Sequence, residues 1–266
     1  MIARLPMYDW PELKFQHEAL WQHLAAVLRE DLPEEITVPE CLLEDGDQVQ
    51  QWLSESLLVG QTCGLPFAQG LYKHTCLLGS PVYRLENCSD GEYYSVIVTG
   101  ADIDSDAICF EQSEGAIEEG QGLRAAINAR DSQSGYSALL HSLSRNALSQ
   151  LCISGSHRQS IQMLAAGEAD VASIDAVSWT LAKRYEPAAK TLKVVGYSQP
   201  TPCLPMITGL GVYSACISES LIRGLASLDD ALKDDLLLEG LMPRKAEEYL
   251  FLSPRLTRAK QKHNIA

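Results

Sequence analysis

The chain has 266 residues, a formal net charge of −14, and 46% hydrophobic against 21% charged residues. That length holds one large domain or two of modest size, and the composition is that of a globular protein. The acidic balance argues against non-specific nucleic-acid binding, which needs a basic footprint, and no apolar run reaches the length of a membrane span.

The elements read as follows in chain order. Residues 2–5 form a short apolar run fit for a strand. Asp9 with Glu12 three residues later is a capping pattern, and Pro11 suits a first helical turn. The helix it opens runs to about Arg29, with Leu20, Trp21, Leu24, Val27 and Leu28 on one face. Residues 30–47 are an acidic loop with eight carboxylates and no Lys or Arg. Residues 47–54 predict a short helix. Leu57-Leu58-Val59-Gly60 predicts a buried strand that enters the polar turn Gln61-Thr62-Cys63-Gly64, with a helix over 67–72. Residues 75–83 and 93–99 are β-rich, and the Gly/Asn/Asp/Ser loop between them predicts antiparallel pairing. A second acidic stretch, 102–119, holds seven carboxylates and no Lys or Arg.

The apolar run Ala125–Ile127 predicts a strand. The small polar segment 128–134 follows, then helical spacing with Leu139, Leu140 and Leu143. Residues 148–153 predict the next strand, Ser154-Gly155-Ser156-His157 a turn, and Ile161, Met163 and Leu164 a helix stopped at Gly167. Residues 170–174 predict a strand ending at Asp175, where a helix with Val177, Trp179 and Leu181 begins. A strand is expected over 192–197 and a short one over 204–208. Helices are expected over 218–226, 228–238 and 245–252, before a loose, basic tail. Trp21 and Trp179 read as packing residues.

Strands alternate with helices, and the strands are apolar throughout. This pattern predicts an α/β fold of mainly parallel sheets flanked by helices. Five turns, 6–10, 60–66, 128–136, 153–158 and 174–177, lie where a strand ends and a helix begins. In open α/β sheets that edge binds ligands. A helix start offers unpaired N–H groups and the positive end of the dipole, a setting for an anion. Crossing points near Thr99-Gly100 and Ser198–Pro202 divide the chain into a discontinuous lobe, 1–98 with 200–266, and a second lobe, 99–199.

Eight cysteines, none in C-x-x-C, point to reduced thiols, with Cys76, Cys109 and Cys152 in apolar strands. No nucleophile elbow, zinc-protease motif, phosphate-binding loop or dinucleotide fingerprint is present. Neither a catalytic set nor a metal or cofactor site is therefore expected. Residues 1–10 lack a secretory signal, so this N-terminus predicts a cytoplasmic protein.

Four segments carry a family resemblance. Asp131-Ser132-Gln133-Ser134-Gly135-Tyr136 resembles a serine-rich turn before a helix. Gly155-Ser156-His157 through Ala166-Gly167-Glu168-Ala169-Asp170-Val171, the acidic turn Ile174-Asp175-Ala176, and residues 57–66 complete it. Together they resemble the phosphate/phosphonate substrate-binding proteins of ABC transporters, with the type II periplasmic-binding fold. The resemblance implies a two-lobed protein with two hinge crossings and an anionic solute held in an interlobe cleft. Ser132, Gln133 and Ser134 would hold the anionic head, His157 would donate to it, and Tyr136 and Ser156 would line the site. Asp175 would meet a cationic or hydroxyl-bearing part of the solute. Tyr8, Gln61 and Thr62 would close it from the first lobe. The implied partners are the small anion and an ABC permease or a regulatory protein, with no nucleic acid and no membrane insertion. Family precedent places such proteins in the periplasm. Gln133 stands where the phosphonate binders usually carry a small hydroxyl residue. Alternative functions on this fold are an enzyme, with Cys63 or His157 as the reactive group, or a ligand-sensing regulatory domain.

Overall fold

In a computed structural model of the chain, residues 1–104, 108, 110, 122–144 and 147–265 are described. Cys109 and most of the acidic stretch 102–119 lie outside them. The chain divides into two compact units, Met1–Glu92 with Pro202–Leu250, and Tyr93–Thr201 with Phe251–Ala266.

The first unit begins with β1 (Ile2–Arg4), a 3₁₀ turn (Pro11–Leu13) and α1 (Lys14–Asp31). Next come α2 (Gln48–Trp52), β2 (Leu57–Gln61), α3 (Gly64–Gln69), β3 (Cys76–Tyr83) and β4 (Glu92–Tyr93), the last at a unit boundary. The second unit contains β5 (Ser95–Thr99), β6 (Leu123–Ile127), a π turn (Gln133–Ser137) continuous with α4 (Ala138–Ser142), and β7 (Leu148–Ile153). It continues with α5 (His157–Ala165), β8 (Val171–Asp175), α6 (Ala176–Tyr185) and β9 (Lys193–Tyr197). The chain leaves through β10 (Thr201–Pro202) and completes the first unit with β11 (Met206–Thr208), α7 (Ser214–Ala226), α8 (Asp230–Leu236), β12 (Leu238–Met242) and α9 (Glu247–Leu250). The last helix, α10 (Leu252–Lys262), groups with the second unit.

The first unit's sheet has the order β1-β2-β11-β3-β12. Only β1 and β2 run parallel in it; β11 is antiparallel to both its neighbours and β12 to β3. Every residue of β2 is buried, which explains its unbroken apolar run. Leu20, Trp21, Leu24 and Leu28 of α1 pack with Ile217, Leu221 and Leu225 of α7. Gly224 allows the two helices to approach, since a Cβ there would lie 2.9 Å from Leu24 Cδ2. Trp21 is a packing residue, and its Nε1 donates to the Pro39 carbonyl at 3.1 Å.

The second unit's sheet has the order β7-β6-β8-β5-β9. β6 is parallel to β7 and β8, whereas β5 is antiparallel to β8 and β9. Arg124 ties this sheet's β6 to the residue before β8: its Nη2 and Nε reach Asp170 at 2.7 and 3.1 Å, and Asp170 also accepts from the Arg124 N–H. Trp179 of α6 is buried, again as packing.

Several expectations are corrected. The sheets are mixed rather than mainly parallel, because β5, β11 and β12 run against the strands they pair with. Residues 95–99 pair with β8 and β9, not with β3. The Asp9 carboxylate caps no helix; it accepts from Lys14 Nζ at 3.3 Å, and Trp10 occupies the cap position without a side-chain bond. The leucine-rich run 228–238 ends its helix at Leu237, in the left-handed region with φ 56°, and then becomes a strand. The basic tail is helical and docked: Lys262 Nζ and His263 Nε2 donate to the Leu140 carbonyl at 3.4 and 2.8 Å. The Lys262 cation and the His263 ring N–H meet a carbonyl near the C-terminus of α4, which orders a segment that composition alone reads as loose.

Candidate functional site

Strand β6 delivers the chain to the polar turn 128–132. Ser132 then takes an extended conformation, and its hydroxyl accepts from the Gly135 N–H at 2.9 Å. This is an N-cap, and it leaves the other first-turn N–H groups of the helix without an intrahelical acceptor. The helix opens wide: the Ser137 N–H reaches the Ser132 carbonyl five residues back, at 3.1 Å. Such π turns recur at functional sites. Here the cause is visible. Ser95 Oγ of β5 and Ser173 Oγ of β8 both donate to the Ser134 carbonyl, at 3.1 and 2.6 Å. The two strands thus hold the helix start from beneath.

The adjacent turn is stitched to the first. The Ser154 N–H donates to the Ile127 carbonyl at 2.8 Å, and the Gly155 N–H to the Asn128 carbonyl at 3.1 Å. Gly155 adopts φ +95°, which an L side chain rarely tolerates. Ser156 then caps α5 by accepting from the Gln159 N–H at 3.0 Å. His157, the first residue of α5, is thereby set with Nε2 at 2.9 Å from Ser134 Oγ. Gly135 makes the approach possible. A Cβ on it would lie 1.8 Å from Asn128 Oδ1 and 3.3 Å from His157 Cε1.

The electrostatics suit a polar solute. Surrounding protein strips solvent from His157 and pushes its imidazole pKa down to about 4, so it is neutral at pH 7. A neutral imidazole has one N–H, and Ser134 has one O–H. Between them a single hydrogen bond uses one proton, and the other remains as a donor. Asn128 Oδ1 and His157 Nδ1 are buried without a protein partner. Burial raises the Tyr136 phenol pKa, and the Arg130 guanidinium beside it pulls the other way. Gln133, Ser134 and Tyr136 are all buried.

Six of the seven second-unit candidates therefore gather at two helix starts: Ser132, Gln133, Ser134, Tyr136, Ser156 and His157. Asp175 stands two residues beyond Ser173. Its Oδ1 accepts from the Val177 and Ser178 N–H groups at 2.8 and 3.0 Å. It is first of all the cap of α6, and its charge makes that helix start the least suited to an anion.

The first-unit candidates have their own geometry. Tyr8 is in the left-handed region with φ 63°. Its carbonyl accepts from His17 Nε2 at 3.0 Å, and its ring meets Tyr83 edge-on at 5.0 Å. Gln61 Nε2 donates to the Tyr83 hydroxyl at 3.2 Å. Thr62 is fully buried, with its N–H donating to the Pro205 carbonyl at 3.1 Å and its hydroxyl to the Cys63 carbonyl at 3.4 Å. Both polar groups of Thr62 serve the fold.

Sequence reading passes over Ser95, Ser173, Asn128, Arg130 and Gly135 as site residues. A signal exists for two of them: Ser95 and Ser173 are hydroxyls in fully buried strands, and a buried hydroxyl needs a partner. Among the described residues no group of three or more His, Cys, Asp or Glu could hold a metal ion.

A pair of mixed sheets, each flanked by helices, with polar helix starts at the strand ends, defines a two-lobed periplasmic-binding fold. The chain belongs to the family described as the phosphonate periplasmic substrate-binding proteins of ABC transporters, matching it over residues 12–247. Solved structures agree on the fold. PhnD1 of Prochlorococcus marinus in complex with methylphosphonate has a TM-score of 0.70 at 13% identity, covering 98% of each chain. A binding protein component of an ABC phosphonate transporter from Pseudomonas aeruginosa has a TM-score of 0.68 at 14% identity, covering 98% of this chain and 86% of its own. MatC of Rhodopseudomonas palustris with bound malate has a TM-score of 0.57 at 11% identity, covering 98% of each. No curated protein sequence matches the chain. The family's role is solute binding for transport rather than catalysis, and its members are periplasmic. Among the described residues no helix is long and apolar enough to cross a membrane.

Proposed function

We propose that the protein binds the oxyanion of a small organic solute, a phosphonate or phosphate ester, at the start of the helix that begins at Gln133. The solute-loaded protein serves a permease of the ABC phosphonate type. The observation that carries this reading is the Ser134–His157 pair at 2.9 Å beside the Ser132 cap. It assembles hydroxyl, imidazole and backbone donors around one helix start without a competing carboxylate cap. Each donor bond to an ionised oxygen is worth roughly 1.5–3 kcal/mol, so three or four suffice for tight binding with no lysine in the set. Gln133 occupies the middle of the turn with an amide, which favours a solute carrying a further acceptor. Tyr8, Gln61 and Thr62 belong to the proposal through the family resemblance. Of these, Tyr8 and Gln61 carry the expectation further than Thr62, whose polar groups are already used.

The test is a thermal-shift screen on ligand-stripped protein with methylphosphonate, phosphate, phosphate esters and dicarboxylates. A ligand in large excess over its Kd raises stability by about 2.7 kcal/mol at a hundredfold excess, and a shift by phosphorus oxyanions is expected. A shift by dicarboxylates alone would replace the solute class, and no shift by any anion would remove the proposal.

A further inference from the structure

The helix that opens at Gln133 is short. The π turn and α4 together span residues 133–142. A helix of that length is marginal by itself in water, so its position is set by what packs on it. Its start is held from beneath, where Ser95 and Ser173 both donate to the Ser134 carbonyl. Its far end is held by the last helix of the chain. α10 packs against both α4 and the π turn, and buries one face, Leu252, Leu256 and Ala259. Leu143 turns extended and ends α4, so Leu140 is among the last four residues whose carbonyls the helix leaves without an internal donor. His263 Nε2 meets that carbonyl at 2.8 Å. A carbonyl only accepts, so Nε2 carries the proton. Lys262 Nζ reaches the same carbonyl at 3.4 Å, and a cation is favourable at the negative end of a helix dipole.

The way α10 stops fixes His263 in turn. His263 is the cap residue, and Asn264 after it is left-handed with φ 54°. The Asn264 N–H donates to the Gln261 carbonyl at 3.2 Å, and the Ile265 N–H to the Lys260 carbonyl at 2.9 Å. These two bonds make a complete Schellman stop, with asparagine at the position that takes glycine or asparagine. The segment that composition reads as a loose tail therefore ends in a defined turn that presents the imidazole to α4.

We infer that α10 positions the anion-binding helix, with His263 as the positioning residue at the helix's far end, opposite Ser95 and Ser173 at its start. The role of the anion rests on the proposed function; the new part is that residues 252–265, outside the set of donors, set the affinity of the site. His263 fixes the axis along which the first-turn N–H groups point, and such donors act together only when held to within about 0.5 Å. Without that bond the helix populates arrangements that do not bind, and apparent affinity falls with the fraction that remains competent. Coupling of this kind is reciprocal, so a bound anion steadies α10.

The test compares the full chain as wild type, His263→Ala and His263→Gln, the last of which keeps a side-chain N–H donor of similar reach. Two quantities are read where all three are folded: Kd for methylphosphonate, and amide hydrogen exchange. His263→Ala should weaken Kd about fivefold, the share one neutral hydrogen bond can carry, and His263→Gln should restore it to within about twofold. The Tyr136 and Ser137 N–H groups, both bonded to the Ser132 carbonyl, should exchange about fivefold faster in ligand-free His263→Ala and recover in His263→Gln. Saturating methylphosphonate should slow exchange over residues 259–265 in the wild type. Equal Kd in all three proteins overturns the inference, as does a loss that glutamine does not rescue, which lost packing alone would give. If the wild type binds no methylphosphonate, the anion proposal fails and ligand-free exchange decides this one: faster exchange at Tyr136 and Ser137 that glutamine reverses supports positioning, and unchanged exchange overturns it. If His263→Ala does not fold, protection of residues 259–265 by methylphosphonate in the wild type decides, and its absence overturns the inference.

Discussion

Gly135→Ala tests whether the site is built by close approach. In an ordinary helix this substitution stabilises by roughly 0.5–1 kcal/mol, because alanine loses less backbone entropy. Here the new Cβ would lie 1.8 Å from Asn128 Oδ1 and 3.3 Å from His157 Cε1. The first contact forces the Asn128 amide to turn away, and the second pushes the imidazole from Ser134. Overpacking of this kind costs about 1–3 kcal/mol. For a unit of this size that is a Tm fall of about 4–12 °C by thermal denaturation. The double variant with Asn128→Ala removes the atom that the Cβ meets, so it should recover at least 1 kcal/mol relative to additivity, roughly the coupling of residues in direct contact. Methylphosphonate affinity should fall in Gly135→Ala and return in part in the double variant. A Gly135→Ala protein as stable as the wild type, or strict additivity with Asn128→Ala, would refute the reasoning.

Three further outcomes follow from the same contacts. Ser132→Ala removes the cap on Gly135 N–H and should cost about 1 kcal/mol in denaturant unfolding; no change would mean that the wide first turn is held by Ser95 and Ser173 alone. His157 gains its proton near pH 6.5 when unfolded and at about 4 when folded. The unfolded chain therefore binds the extra proton between those values, and stability should fall as pH drops through that window, by at most about 3 kcal/mol. His17 shifts in the same direction, so comparing wild type with His157→Gln isolates the His157 share. An unchanged slope in His157→Gln would contradict the burial of that ring. Asp170→Asn breaks the ion pair with Arg124, whose guanidinium holds the carboxyl below the usual range. Both groups are partly exposed, so the loss should be small, that of a surface ion pair, and the wild-type advantage should fall away as pH drops from the normal carboxylate pKa through the lowered folded one.

The helix starts were legible because their chemistry is local. Ser132, Ser156 and Asp175 follow apolar strands and precede helical spacing, and each is a cap in the structure. The positioning layer was not legible, because it depends on strand neighbours distant in sequence. Ser95 and Ser173 reach one carbonyl only because β5 and β8 pair antiparallel, and apolar runs do not reveal strand direction. Asp9 shows the limit of a capping pattern: Lys14 competes for the carboxylate, and Tyr8 takes a left-handed turn just before it. The run 228–238 misleads for a related reason. Leucine serves a helix and a buried strand equally, and only the left-handed Leu237 divides them. The family resemblance, concentrated on residues 123–179, was legible from the turns and is shown by the family match.

The central claim is that an oxyanion is held at the start of the Gln133 helix by donors that include Ser134 and His157. Calorimetric titration of ligand-stripped wild type, Ser134→Ala and His157→Ala with methylphosphonate tests it most directly. The account predicts one site per chain in the wild type and a loss of about ten- to a hundredfold in affinity in each variant, the worth of one charge-assisted bond. Wild-type binding that both variants retain in full would contradict it.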